Sequence, residues 1–199
     1  RPSRARPVVG VAASAGGPAA IVAVLGALPA EFPGCIALVQ HLPPGFAAAF
    51  AAYLRQQTAL TVEVVQQRAG PRPGVVLLAG DDRHLVAAPD GHFEASDAAP
   101  VGGHRPSGTV LLASLARVFG AEAIGVVLSG IGEDGAQGLC ALRAAGALTI
   151  AQSEETSLVY GMPRAAALAG GASTVLPLSL IAAALQRWDG AAPHRTGAP

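Results

Sequence analysis

Three polar residues follow three strongly apolar segments, and their types are those of a serine hydrolase triad. Ser14 follows VVGVAA, His41 follows CIALVQ, and Asp134 lies in the GIGEDG turn after IGVVLS. A serine hydroxyl needs a neutral imidazole to accept its proton and a carboxylate to fix the tautomer of that imidazole. If the apolar segments are parallel strands, their carboxyl ends meet at one edge of a sheet. We therefore predict a catalytic site at that edge.

The sequence around Ser14 is rich in small residues, AASAGGP, which allows the sharp strand-to-helix turn of a nucleophile elbow. Ser14 is expected to open a helix, where free N–H groups and the positive helix end can stabilise an oxyanion. The N–H of Ala15 is the first candidate donor. The N–H of Ile131, between two glycines, is the second. The chain order Ser, His, Asp differs from that of the α/β-hydrolases and argues against that family.

Each residue also has a plainer interpretation. Ser14 could simply cap the following helix, and His41 could hold a loop in place. Asp134 could favour the start of the helix that follows Asp134. Their joint placement at three strand ends is what favours catalysis. His104, in HRPS before a helix, has two open interpretations: a structural cap, or a group that approaches the site from a neighbouring loop.

Residues 130–135 also satisfy the pattern G-x-G-x-x-G, and Glu154 and Glu155 follow about 20 residues later. A dinucleotide-binding oxidoreductase is therefore an alternative. Against it, Glu133 and Asp134 would place two carboxylates in the turn that should hold a pyrophosphate.

The order of the apolar segments predicts the fold. Short segments rich in Val, Ile and Leu alternate with helical segments rich in Ala and Leu. Strands without polar alternation suit a sheet covered on both faces. We predict a doubly wound, mostly parallel sheet in a three-layer α/β/α sandwich. Asp90-Gly91, between two β-like segments, predicts a β-hairpin insertion within residues 66–97.

Composition excludes several classes of partner. With 13 basic and 13 acidic residues, and basic residues clustered only in RPSRAR, we expect no nucleic-acid binding. Apolar segments are interrupted before the roughly 20 residues that a membrane helix needs, so we expect no membrane insertion and a cytoplasmic location. Cys35 and Cys140 are expected to be buried and to form no metal site. His84 and His92, beside the hairpin, are expected at the surface or on an edge strand.

Six motifs resemble, in order and spacing, the catalytic domain of the chemotaxis protein-glutamate methylesterases: ASAGGP, VQHLPPGF, HRPS, GIGEDGAQGL, TIAQSEE and YGMPR. The resemblance covers residues 7–188, so residues 1–6 are expected to be a linker or stub and 189–199 a flexible tail. It implies a hydrolase with its triad at Ser14, His41 and Asp134, and with no metal or organic cofactor.

The resemblance also implies a substrate, namely glutamate methyl esters on the cytoplasmic helices of chemoreceptors, with glutamine deamidation as a second reaction. Typical members carry a receiver domain over the active site. We expect none in this chain, and a receiver domain or histidine kinase is a candidate partner.

The chain departs from the usual family sequence at three positions. Where this chain has Ala15, Ile131 and Glu133, the family usually has threonine, methionine and asparagine. A catalytically inactive domain that binds chemoreceptors or a signalling partner is the remaining alternative.

Overall fold

A seven-stranded parallel sheet forms the centre of the structure, a computed structural model that describes residues 7–188. The predicted linker and tail lie outside the described residues. The strands of this sheet are β1 (Val8–Ala13), β2 (Cys35–Gln40), β3 (Thr61–Val65), β5 (Val75–Ala79), β8 (Ala123–Val127), β9 (Leu148–Gln152) and β10 (Thr174–Leu176). Their order is β10-β9-β8-β1-β2-β5-β3, and each pair is parallel.

Helices cover both faces of this sheet. They are α1 (Gly17–Gly26), α2 (Ala47–Gln57), α3 (Gly108–Val118), α4 (Ala136–Ala144), α5 (Met162–Leu168) and α6 (Leu178–Arg187). Helices α1, α2 and α6 share one apolar core with the sheet, and α3, α4 and α5 share the other. All residues of β1, β2 and β8 are buried, as expected for strands between two helical layers. The structure confirms the predicted doubly wound α/β/α sandwich.

A small antiparallel sheet packs on the α3 side. It contains β4 (Arg68–Ala69), β6 (His84–Ala87) and β7 (Phe93–Ser96), in the order β4-β7-β6. Strands β6 and β7 form the predicted hairpin around Asp90-Gly91. Phe93 of β7 is fully buried in the same core as α3, so the hairpin covers that helix.

One smaller prediction is confirmed and another needs correction. His84 lies on β6, an edge strand of the small sheet, which is one of its two predicted places. It is only 1% exposed, and its ring accepts a hydrogen bond from Ser107 N (3.1 Å) and donates one to Ala99 O (3.1 Å). Cys35 is buried as predicted, but Cys140 is partly exposed because it lies beside the loop after α5, where its Sγ contacts Ala169 O at 3.4 Å.

Helices α3 and α4 touch closely at Gly138. A Cβ atom there would lie 2.6 Å from Thr109 O and 2.8 Å from Leu112 Cβ. Alanine favours a helix by about 1 kcal/mol over glycine, but overpacking against a backbone costs about 1–3 kcal/mol. We expect Gly138→Ala to lower the free energy of unfolding by about 1 kcal/mol or more, measured by urea denaturation. The exposed neighbour Gln137, changed to alanine, should alter it by less than about 0.5 kcal/mol. A stabilised Gly138→Ala protein would contradict this.

Candidate active site

The site lies where the sheet topology reverses. Strand β1 is flanked by β2 on one side and β8 on the other, and the helices that follow β1 and β8 lie on opposite faces. Such a switch point opens a crevice beyond the carboxyl ends of the strands. Ser14 follows β1, His41 follows β2, and Asp134 lies in the loop after β8. The three predicted residues therefore reach the same edge of the sheet.

Strand register places Ser14 beside His41. Ala13 pairs with Gln40, so Ser14 and His41 are the next residues on neighbouring strands, which lie about 4.8 Å apart. His41 N donates to Ala13 O at 3.0 Å, which extends the ladder past the end of β2.

The turn after Ser14 differs from the expected helix start. Gly16 is the N-cap of α1, with φ of 76°, and the helix begins at Gly17. The left-handed conformation favours glycine because a side chain there is strained. Ser14 is therefore neither the cap nor the first residue of the helix. Its backbone is fixed instead by Ser14 N, which donates to Ser129 O (3.0 Å), and by Ser14 O, which accepts from Gly17 N (2.8 Å).

His41 and Asp134 are joined directly. His41 Nε2 lies 2.8 Å from Asp134 Oδ2. Because Asp134 is an acceptor, Nε2 carries the proton, and Nδ1 is the ring nitrogen left to act as a base. Within residues 7–188, Ser14 Oγ makes no hydrogen bond to His41. Such catalytic hydrogen bonds often tighten only in the substrate complex.

Asp134 is 7% exposed, and donors surround its carboxylate. It accepts hydrogen bonds from Ser107 Oγ (2.7 Å), Gly108 N (2.6 Å) and Thr109 N (3.0 Å), all at the start of α3. Burial alone would raise the pKa of Asp134, but the hydrogen bonds from His41 and from the start of α3 outweigh it and hold that pKa well below its usual range. Asp134 is thus a stable anion that can orient His41.

Asp134 contacts the starts of two helices. Its plainer interpretation holds in part, because Oδ1 accepts from the N–H of Gly135, the N-cap of α4 (3.0 Å), but three of its donors belong to the start of α3, earlier in the chain. Ser107 is the N-cap of α3 and donates to the same carboxylate. Our sequence reasoning missed Ser107, although a serine before the apolar GTVLL segment is the pattern of a helix cap.

His104 approaches the site, in agreement with one of its two interpretations. Its ring stacks on that of His41, with centroids 4.0 Å apart and planes at 11°. Burial, and then the positive charge that His41 can carry, lower the pKa of His104; Asp134 opposes this more weakly. A neutral His104 does not repel the imidazolium that His41 forms when it accepts a proton. Both histidines line one open pocket, beside Arg105 and Asp82.

The two candidate oxyanion donors, Ala15 and Ile131, share a feature of their backbone. In a trans peptide, the carbonyl and the following N–H point in opposite directions. Gly130 O accepts from Gly161 N (3.1 Å) and Met162 N (2.9 Å), so the Ile131 N–H is directed away from α5. In the part of the chain that the structure describes, the N–H groups of Ala15 and Ile131 donate to no acceptor.

The dinucleotide alternative conflicts with the start of α4. Gly135 N donates to Thr109 Oγ1 (2.8 Å) and to Asp134 Oδ1 (3.0 Å). The donors that would bind a pyrophosphate there already face the protein's own oxygen atoms, one of them charged.

Among residues 7–188, no cluster of three or more His, Cys, Asp and Glu side chains could hold a metal ion. No helix in this range has both the length and the apolar character needed to cross a membrane.

The fold and the site describe an α/β domain with a hydroxyl, an imidazole and a carboxylate at its switch point. The chain belongs to the CheB methylesterase family, whose model matches residues 9–185. This confirms the resemblance found in the sequence.

Individual relatives agree with this assignment. The chain is 48% identical over 182 residues to protein-glutamate methylesterase/protein-glutamine glutaminase 2 of Burkholderia lata, covering 91% of this chain and 54% of that protein. It is 44% identical over 188 residues to protein-glutamate methylesterase FrzG of Myxococcus xanthus, covering 94% and 56%. The chain thus spans about half the length of these curated relatives.

A solved structure has the same fold. The crystal structure of the Thermotoga maritima CheB methylesterase catalytic domain superposes with a TM-score of 0.86 at 33% identity, covering 90% of this chain and 96% of that one.

The buried charge of Asp134 generates a stability prediction. Its lowered pKa stabilises the fold above the unfolded value of about 3.9, and this stabilisation is lost as pH falls through the lower folded value. We expect Asp134→Asn to lower the free energy of unfolding by about 2–3 kcal/mol at pH 7. This difference between wild type and variant should become smaller below about pH 4. Urea denaturation at several pH values measures this difference. Glu133→Gln, at the exposed neighbour, is the control. A difference for Asp134→Asn that does not change with pH would contradict the assignment of Asp134 as a stabilised anion.

Proposed function

We propose that this chain is a serine esterase that hydrolyses glutamate methyl esters on chemoreceptors. The observation that carries this proposal is the hydrogen bond between His41 and the anionic Asp134, at the strand end next to Ser14. A histidine held in one tautomer, with its second nitrogen free and a serine on the neighbouring strand, can activate that serine as a nucleophile.

The catalytic cycle has two acyl-transfer steps. Ser14 Oγ attacks the ester carbonyl carbon while His41 Nδ1 accepts its proton, and the N–H groups of Ala15 and Ile131 stabilise the oxyanion. The intermediate collapses, the bond to the methoxy oxygen breaks, and His41 returns the proton to release methanol. Water, deprotonated by His41, then hydrolyses the glutamyl-Ser14 ester and gives glutamate and free enzyme.

The substrate class follows from the names of the relatives and from the surface near the site. The Burkholderia lata relative is also named a protein-glutamine glutaminase, so we include deamidation, in which ammonia leaves instead of methanol. Three exposed apolar side chains lie on loops at this edge: Phe46 (55%), Ile131 (66%) and Leu158 (80%). They suit contact with a helix of a chemoreceptor rather than with a small polar ester. A receiver domain or histidine kinase of the same signalling system is the further partner that we propose.

A serine-reactive probe tests this proposal against its alternatives. Labelling of the wild type by a fluorophosphonate, lost in Ser14→Ala, supports an esterase. An unlabelled protein whose melting temperature rises with NAD would support a dinucleotide-binding enzyme. A protein that shows neither response but binds chemoreceptor helices would be the inactive binding module.

Removal of the nucleophile has the largest expected effect. Ser14→Ala should lower the rate of methanol release from methylated chemoreceptors by roughly four to six orders of magnitude, because the triad acts as a unit. Gas chromatography of the released methanol measures it. Ser179→Ala, at an exposed serine of α6, is the control and should keep the wild-type rate. Retention of most activity by Ser14→Ala would refute the mechanism.

The stack of His104 on His41 gives a second test. An aromatic pair contributes about 0.5–1.5 kcal/mol, which corresponds to a factor of about 2 to 10 in rate. We expect His104→Ala to lower kcat/KM by that factor and His104→Phe, which keeps a stacked ring, to remain close to wild type. Steady-state kinetics on a methylated receptor peptide compares the two. Equal losses in both variants would show that the imidazole nitrogens of His104, and not its stacking, matter.

A further inference from the structure

Gln40 connects the backbones of Ser14 and His41. It is the last residue of β2, directly before His41, and is only 4% exposed. Its Nε2 donates to Ser14 O at 2.9 Å and to His41 O at 3.0 Å. A single carboxamide therefore links the proposed nucleophile and the proposed base, although they are 27 positions apart in the sequence.

The bond to Ser14 O fixes the direction of the next N–H. Ser14 O also accepts from Gly17 N, so two donors hold this carbonyl on the side of Gln40 and α1. Because the trans peptide is planar, the N–H of Ala15 then points to the opposite side. If this peptide turned over, a carbonyl oxygen would face the position of the oxyanion in place of a donor.

Packing keeps the Gln40 side chain in this position. A Cβ atom on residue 17 would overlap Gln40 Oε1, so the carboxamide fills the space left by Gly17 in the first turn of α1. Movement of the amide is therefore blocked on that side, and its bond to Ser14 O is held in one geometry.

The other end of the carboxamide argues for a role beyond stability. Among residues 7–188, Gln40 Oε1 is buried without a hydrogen-bond partner. An unpaired buried acceptor costs stability, and native structures contain few of them. A glutamine that only stabilised the fold would be expected to have both ends paired. Gln40 keeps its two donor bonds at the expense of the acceptor.

We propose that Gln40 is a positioning residue, which holds the Ser14–Ala15 peptide so that the Ala15 N–H faces the oxyanion and keeps His41 in register with Ser14. The inference rests on the proposed function, in which Ser14 is the nucleophile. Gln40 itself touches neither the substrate nor the reacting atoms. Its contribution therefore belongs to the transition state and not to substrate binding.

The test is Gln40→Met, which keeps the length of the side chain and removes both donors. Loss of one oxyanion donor lowers kcat by about 10²–10³-fold in other enzymes. We expect kcat for a glutamate methyl ester peptide to fall about 100-fold, with KM changed less than about threefold. Labelling of Ser14 by a fluorophosphonate should slow in parallel, because its adduct is also tetrahedral.

A matched control separates positioning from general destabilisation. Thr149 of β9 is fully buried, and its Oγ1 accepts from Ser173 N at 2.8 Å, away from the site. Thr149→Val should lower the melting temperature but keep kcat. If Gln40→Met keeps kcat within about threefold of wild type, or if Thr149→Val loses kcat to the same extent, the positioning role is refuted.

A measurement on the wild type covers the case in which Gln40→Met does not fold. In ¹⁵N-labelled protein, phosphonylation of Ser14 should shift the Ala15 amide proton downfield, and the Gln40 side-chain amide should exchange slowly with solvent. An unshifted Ala15 amide would overturn the inference. A wild type that neither hydrolyses the ester nor reacts with the probe would instead refute the proposed function, so the two failures are distinguishable.

Discussion

The negative charge of Asp134 is the constraint around which the rest of the site is built. A buried carboxylate is costly unless donors surround it, and here the donors come from three parts of the chain: the start of α3, the ring of His41 and the N–H of Gly135 before α4. The same set of bonds fixes where α3 begins, how the loop after β8 turns, and which tautomer His41 adopts. Fold and proposed chemistry thus depend on one ionised group.

The central place of β1 explains how residues distant in sequence meet. With β2 on one side and β8 on the other, β1 delivers Ser14 between the elements that carry His41 and Asp134. Backbone bonds then continue past the strand ends, from His41 N to Ala13 O and from Ser14 N to Ser129 O. Because these contacts are ladder bonds between rigid strands, the sheet sets the backbone positions of Ser14 and His41.

Sequence reasoning predicted the parallel sheet, the hairpin and the edge at which Ser14, His41 and Asp134 gather, because these follow from strand periodicity and from the direction of parallel strands. It missed helix α5, because the seven residues of this helix, MPRAAAL, are too few for a helical period to show. It also missed Gln40 and Ser107. Their importance comes from tertiary hydrogen bonds to residues far along the chain, which no local pattern encodes. The need for a glycine at position 16, where the helix is capped in place of Ser14, is likewise a tertiary effect, because Leu158 and Ser129 pack where a side chain would lie.

The use of Nε2 by Asp134 has a consequence for how the imidazole of His41 moves. Nδ1 is bonded to Cγ, the ring carbon that joins the imidazole to Cβ, so Nδ1 lies closer to the main chain than Nε2 does. A swing of the whole side chain about the Cα–Cβ bond displaces the distal nitrogen, which the carboxylate restrains, more than the proximal one. Such swings are therefore smaller at the basic nitrogen, whose distance from the serine depends chiefly on the main chain at the end of β2.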